Sequence, residues 1–194
     1  VKIIDFFTLL FEASQPYKNF EKQIIFRLNG VSQSHEGISI NEKMIPLVKR
    51  EPELIHGIRN IVHNALKFSK SHVDINLITN SRKINLEITD DGKGFPNDIT
   101  NMIGEPFLKK SNFYLMEIKN RTSEEGMGLG LFIANILLEK TNGRLKFSNM
   151  KQIDSDGKKR ITGAKVEISW ERSSIEVLQW DKKAKMKENP RNVS

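Results

Sequence analysis

Apolar positions along the chain follow two rhythms, one of three to four residues and one of two. The helical rhythm comes first: Ile3, Phe6, Phe7 and Leu10 gather on one side of residues 1–14, with Asp5 and Glu12 off it, and Gln15-Pro16 ends the run. It returns at 53–69, where Pro52 takes the favoured first-turn position and Leu54, Ile58, Ile61, Ala65 and Phe68 recur at spacings of three and four. A further helix is predicted over about 128–141, stopped by Asn142-Gly143. The period of two marks strands. Short ones are predicted at 22–28 and 37–40, separated by a Ser-rich turn segment that begins at Asn29-Gly30. Val73, Ile75 and Leu77, then Ile84, Leu86 and Ile88, read as an antiparallel pair joined near Asn80-Ser81. Strands near 144–149 and 163–170 follow the last helix. Residues 91–126 are rich in Gly, Pro, Asn and Ser and predict a long loop with at most one short helix. Residues 181–194 are Lys- and Asn-rich without periodicity and predict a disordered tail. Helices covering one face of a mixed, mostly antiparallel sheet make an α+β fold, a two-layer sandwich.

Composition narrows the class more than the function. A chain of 194 residues can bury a substantial core as one domain, or one domain with a tail. Its 38% hydrophobic and 28% charged residues are those of an ordinary soluble globular protein. The longest apolar stretch, Ile3 to Phe11, is broken by Asp5 and Thr8 and falls far short of the roughly 20 residues of a membrane helix. The start has neither the basic segment nor the small-residue cleavage site of a signal peptide, and it begins with Val, as a piece of something longer would. Zero Cys excludes a disulfide framework and a Cys-based zinc site, which suits the cytoplasm. The 31 basic and 24 acidic residues leave a net charge of +7. A nucleic-acid partner, an anionic nucleotide or a Lys-rich genome would each account for it, so charge alone decides nothing.

Three segments carry candidate chemistry. On the helix at 53–69, His56, Asn60, Asn64 and Lys67 form a polar stripe apart from the apolar one. Two carboxamides and an ammonium on one face suit a hydrated Mg²⁺ and the phosphates beside it, because Mg²⁺ takes oxygen ligands and keeps several waters. A solvated helix face would carry the same residues. The second segment is Thr89-Asp90-Asp91-Gly92-Lys93-Gly94. Asp90 continues the buried phase of Ile84, Leu86 and Ile88, whereas Asp91 points the other way. A carboxylate in a core phase needs a partner, and an adenine amino group would supply one, with Gly92 and Gly94 letting the backbone approach the base. A turn with capping Asp residues is the alternative. The third is Gly126-Met127-Gly128-Leu129-Gly130-Leu131, running straight into a helix, where free backbone N–H groups and the helix dipole favour phosphate. It matches neither the dinucleotide fingerprint nor the Gly-Lys-Ser/Thr ending of a P-loop.

In this order the segments resemble the GHKL ATPase superfamily. Asn60 to Phe68 is similar to its N box, Asp90 to Phe95 to G1, and Gly126 to Leu131 to G2. Gly104-Glu105-Pro106-Phe107 resembles the F box of histidine kinases, and residues 108–125 fall where those kinases have a mobile ATP lid. The resemblance covers roughly residues 1–171 and implies a Bergerat-type ATP-binding fold there, with 172–194 a largely disordered C-terminal extension. Hydrolytic members and anti-sigma kinases carry a Glu four residues before the metal-binding Asn; here that position is Asn60, whose amide accepts no proton at neutral pH. Sensor histidine kinases commonly carry Asn there. Pro52 to Asn60, the Gly-Glu-Pro-Phe box, Gly128 to Ala134 and Gly163 to Trp170 look closest to the RegB/PrrB/ActS kinases. The resemblance implies that Asn64 ligates Mg²⁺, Asn60 supports the metal and phosphates, Lys67 contacts phosphate and Phe68 packs near the base. Asp90 would bind the adenine amino group beside Gly92 and Gly94. Gly126, Gly128, Leu129 and Gly130 would form the phosphate loop, Phe107 would gate the lid, and Lys109 or Lys110 would reach phosphate.

A complete kinase also needs a His on a dimerisation helix, followed by an acidic residue and then Pro. His35 precedes Glu36 but lies in a Ser/Gly-rich turn, with no Pro before Pro46; His56, His63 and His72 lack the pattern. The resemblance thus implies transfer of the ATP γ-phosphoryl group to a histidine on a dimerisation domain absent from this chain, with a response regulator served indirectly and no activity in cis. It implies a cytoplasmic domain of a parent protein that can be anchored in the inner membrane; no nucleic-acid partner is expected. The rival readings are a gyrase-like ATPase, a nucleotide-binding interaction module without phosphotransfer, and a basic nucleic-acid binder. No base-stacking aromatic pattern supports the last.

Overall fold

Asp5 divides the first apolar run in two. The computed structural model describes residues 2–17, 21–33, 45–96 and 128–178, and in it Ile3–Asp5 is a strand, β1, while helix α1 covers only Phe6–Ser14. The helix expected over 1–14 is shorter at its start because Asp5 is extended. Its carboxylate accepts from the Thr8 backbone N–H at 2.7 Å and the Thr8 hydroxyl at 2.5 Å, capping the helix. The residues ahead of that cap pair antiparallel with β4, Leu47–Lys49, a strand too short to show an alternation in the sequence. A 3₁₀ turn, Gln15–Tyr17, follows α1.

The main sheet contains β2 (Gln23–Leu28), β3 (Val31–Gln33), β5 (His72–Thr79), β6 (Lys83–Asp90), β7 (Arg144–Ile153) and β8 (Lys159–Glu171). Its order is β3-β2-β5-β6-β8-β7. Only β2 and β5 run parallel, joined by a crossover that includes α2, Pro52–Phe68; the other neighbours are antiparallel. β3 occupies a segment read as turn, because Asn29 (φ 50°) and Gly30 (φ 83°) close a tight hairpin between Leu28 and Val31. The strand expected at 37–40, residues 97–127 of the long loop and the tail at 181–194 lie outside the described residues.

One phase of each of these strands meets the helices. Val73, Ile75 and Leu77, then Ile84, Leu86 and Ile88, pair in register and are buried with Val166, Ile168 and Trp170 of β8. Against them pack Phe6, Phe7 and Leu10 of α1 and Leu54, Ile58, Ile61 and Ala65 of α2. The opposite sheet face is polar: Arg27 pairs with Asp74 at 2.6 Å, and Lys165 with Glu87 at 2.8 Å and Glu167 at 3.3 Å. On α2 the buried arc is wider than the sequence stripe and adds Ile55, Val62 and Leu66, since a second helix, α3 (Gly128–Lys140), covers it. That contact centres on Gly57, where an added Cβ would stand 2.6 Å from Leu138 Cγ. α3 ends as expected: Asn142 is left-handed (φ 62°) and the Gly143 N–H donates to the Leu138 carbonyl at 2.9 Å. Trp170 Nε1 donates to Thr141 Oγ1 at 3.0 Å, and its ring stands edge-on to Phe6.

β7 and β8 run past their expected ends as a hairpin arm, with a bulge between Met150 and Lys151; its residues are mostly exposed, so no alternation marks them. After β8 a single turn, α4 (Arg172–Ile175), brings the chain back to β4, where Val177 N–H donates to the Leu47 carbonyl at 2.7 Å. Residues 172–178 therefore pack on the domain. Among the described residues no helix is long and apolar enough to cross a membrane.

Candidate functional site

The end of β6 and the end of α2 meet at one turn. Asp90 closes β6 opposite Val73 and is 5% exposed, the carboxylate that the alternation placed in the core phase. Its Oδ1 accepts the N–H of Gly92 at 2.8 Å and of Ala164 at 3.2 Å. Among the described residues its Oδ2 takes no hydrogen bond, nor is that oxygen fully enclosed. Burial pushes the Asp90 carboxyl above the ordinary range; the two N–H groups oppose this, the Asp91 charge adds to it, and the Lys22 ammonium counters it.

Gly92 makes the meeting possible. An added Cβ would stand 2.2 Å from the Phe68 carbonyl oxygen at the end of α2, so only a glycine lets the turn lie there. Beyond it Gly94 is left-handed (φ 78°), and Phe95 is fixed by one amide: its N–H donates to Asn149 Oδ1 at 2.6 Å, while Asn149 Nδ2 donates to its carbonyl at 2.9 Å. Asp91 does face the other way, and it has its own task. It accepts from the backbone N–H groups of Lys70 (2.7 Å) and Ser71 (3.0 Å) and from the Ser71 hydroxyl (2.5 Å), with the His72 ring 3.3 Å away. Burial alone would raise its carboxyl, but the Ser71 hydroxyl and the N–H groups of Ser71, Lys70 and His72 outweigh it and hold the group well below the usual carboxylate range.

On α2 the polar stripe stays out of the core. Asn60 and Asn64 are half-buried and make no side-chain hydrogen bond among the described residues; His56 and Lys67 are exposed. Phe68 belongs to the site edge more than to the core: it is half-buried, with Lys67 Nζ 5.2 Å from its ring centroid. Gly128, Leu129 and Gly130 form the first turn of α3, and a Cβ added at Gly130 would meet none of the described residues within 4 Å. Gly126, Phe107, Lys109 and Lys110 lie outside the described residues. Two contributors had no sequence signal. Asn149 acts through the backbone of Phe95. Lys22 reaches across 44 to 47 residues to donate to the carbonyls of Leu66 and Ser69, each at 2.6 Å. The described residues offer a buried acceptor, two side-chain amides and a glycine-led helix start, groups that suit an amino-bearing ring and an anion.

RegB, a sensor histidine kinase of Cereibacter sphaeroides, is 36% identical over 164 residues, which is 84% of this chain and 34% of RegB. The histidine protein kinase SaeS of Staphylococcus aureus is 32% identical over 116 residues, 58% of this chain and 31% of SaeS. The chain thus spans about a third of the length of these relatives. Among solved structures, the mycobacterial sensor histidine kinase MprB superposes with a TM-score of 0.59 at 17% identity, over 88% of this chain and 96% of that one. Full-length ShkA in complex with AMPPNP gives 0.58 at 17% identity, over 91% of this chain and 31% of that one. These likenesses confirm the α+β sandwich expected from the alternation pattern. Residues 49–173, from the end of β4 to α4, match the family defined by the ATPases of histidine kinases, DNA gyrase B and HSP90. With the turn at Asp90 and the amides of α2 inside that span, the chain belongs to the histidine kinase-, DNA gyrase B- and HSP90-like ATPase family.

Proposed function

We propose that this chain is the ATP-binding catalytic domain of a two-component sensor histidine kinase, and that it transfers the γ-phosphoryl group of ATP to a histidine on a separate dimerisation domain. The observation that carries this is Asp90, a buried carboxylate with Oδ1 fixed by two backbone N–H groups and Oδ2 left to a ligand. An adenine amino group donates to that oxygen. The kinase direction, as opposed to hydrolysis, rests on Asn60: an amide leaves water without a general base, whereas a neutral imidazole needs none to attack phosphorus. Histidine nitrogen forms the new bond to phosphorus and ADP leaves with the electrons of the broken one. The three histidines among the described residues are poor acceptors by their settings. His56 is on α2 itself, His63 stacks on Tyr17 at 5.4 Å, and His72 is beside Asp91. Phosphotransfer therefore depends on an acceptor domain supplied from outside, with a response regulator downstream of it, and on the cytoplasmic pool of ATP.

The donor set fits Mg²⁺ as a hydrated ion. Among the described residues no group of three or more His, Cys, Asp or Glu gathers as a protein cage. The Asn64 carbonyl, supported by Asn60, is the ligand this chain would supply, with phosphate oxygens and waters completing the shell. Mg²⁺ would neutralise charge on the transferred group. Lys67 and the N-terminus of α3 take phosphate, by charge and by dipole.

Calorimetric titration with a non-hydrolysable ATP analogue and with ADP, with and without Mg²⁺, tests this. One-to-one binding is expected. Asp90→Asn should weaken both nucleotides about tenfold or more, since it turns an ionic acceptor into a neutral amide. Asn64→Ala should remove only the metal-dependent part of affinity. A folded sample that binds no nucleotide, or one in which Asp90→Asn changes nothing, would refute the proposal.

A further inference from the structure

We infer that Lys22, which lies outside every motif above, is a positioning residue of the nucleotide site: its ammonium locks the end of α2 onto the Gly92 turn. The inference rests on the nucleotide reading just proposed. Lys22 precedes β2, and its Nζ donates to the Leu66 and Ser69 carbonyls at 2.6 Å each, with the Lys67 carbonyl at 3.5 Å. These are carbonyls that the end of a helix leaves without intrahelical donors, and an ammonium answers both their hydrogen bonds and the dipole. The carbonyl of Phe68 is the exception within that run. It is turned instead against Gly92, 2.2 Å from where a Cβ would stand. By gathering the carbonyls of residues 66, 67 and 69, Lys22 fixes the one peptide on which the Asp90–Gly92 turn rests. The end of α2 is thereby held against the turn that carries Asp90.

Charge is part of that grip. An ammonium answers the dipole at the end of α2 as well as its carbonyls, which a neutral donor does not. The same cation counters, in part, the rise that burial gives the Asp90 carboxyl.

Three variants separate these contributions. Lys22→Gln keeps N–H donors and removes the charge, Lys22→Met keeps the stem alone, and Lys22→Arg keeps charge and donors. ADP affinity is measured by calorimetry without metal from pH 5 to 8, alongside urea unfolding without nucleotide. In Lys22→Gln ADP affinity should fall about tenfold, and further at the acid end of the range than at pH 8. Lys22→Met should lose as much or more, and Lys22→Arg should stay within about threefold of the unaltered chain. Coinciding pH profiles for Lys22→Gln and the unaltered chain would overturn the inference, and so would equal losses in Lys22→Gln and Lys22→Arg. Failure of both neutral variants to fold, with Lys22→Arg folded, would make Lys22 a stability residue only and overturn it too. Absence of ADP binding in the folded, unaltered chain is a distinct result: it removes the nucleotide reading, and this inference with it.

Discussion

Two neighbouring carboxylates, Asp90 and Asp91, have opposite environments and therefore opposite acid behaviour. Asp90 turns into the core and meets two N–H groups; Asp91 turns out and meets the Lys70–His72 turn through a hydroxyl and several N–H groups. The Asp91 side chain keeps 21% of its exposure, so its bonds are worth less than in a dry interior yet more than at an open surface. Because its folded-state carboxyl lies below the usual range, the unfolded chain binds more protons at moderately acid pH. Its stabilisation is therefore complete above the ordinary carboxylate value near ~4 and is lost as pH falls through the lower folded value. Asp91→Asn should cost about 2 kcal/mol at pH 7 and a smaller amount near pH 2, below the ordinary carboxylate value, where the unfolded chain already holds the proton. Glu12, held low by its ion pair with Arg50, adds its own acid sensitivity, so the quantity to read is the difference between variant and parent at each pH. Urea unfolding across that range provides it. A constant difference would mean that Asp91 acts by shape alone.

Glycines at element level show how helices in this fold are either filled or left open. In α2, Gly57 lies under Leu138, which is fully buried and has nowhere to go. In α3, a Cβ at Gly130 would meet none of the described residues. Gly57→Ala should therefore lose about 1–3 kcal/mol through overpacking, against the modest gain that alanine brings to a helix. Gly130→Ala should keep stability or add up to about 1 kcal/mol, because only the propensity term remains. Nucleotide affinity should divide the pair the other way. If the glycines that open α3 serve to let phosphates approach its N-terminus, Gly130→Ala weakens the ATP analogue while Gly57→Ala, at temperatures where it is folded, does not. Unfolding midpoints and calorimetry on the same samples decide it; equal affinities in both variants would take Gly130 out of the phosphate loop.

On the scale of the molecule, legibility in the sequence followed burial. β5 and β6 announced themselves by alternation, and Asp90 was found because it keeps that phase. α2 and α3 were found from period and end signals. Elements that bury little were not: β4 is three residues long, the arm at 151–161 is mostly exposed, and Lys22 and Asn149 act on backbone groups far away in sequence. The chain after β8 is such a case too, since its hold is polar. Arg172 grips Glu176 through two nitrogens and donates to the Asn80 carbonyl at 2.6 Å. Its N–H donates to the Arg82 carbonyl, and Val177 N–H reaches Leu47. These bonds tie the β5–β6 turn to β4, whose Val48 is fully buried. A boundary drawn at 171 would cut them all, whereas one at 178 would spare them. Chains ending at 178 should thus unfold at the same urea midpoint as the full chain, and chains ending at 171 should lose about 1–3 kcal/mol, for several hydrogen bonds only partly buried. Since none of these groups touches the turn at Asp90, ADP affinity under conditions where both are folded should be equal. Matching midpoints for the two truncations would show that residues 172–178 merely lie against the domain, and a loss of ADP affinity in the shorter one would show that the β4 side of the fold bears on the nucleotide site.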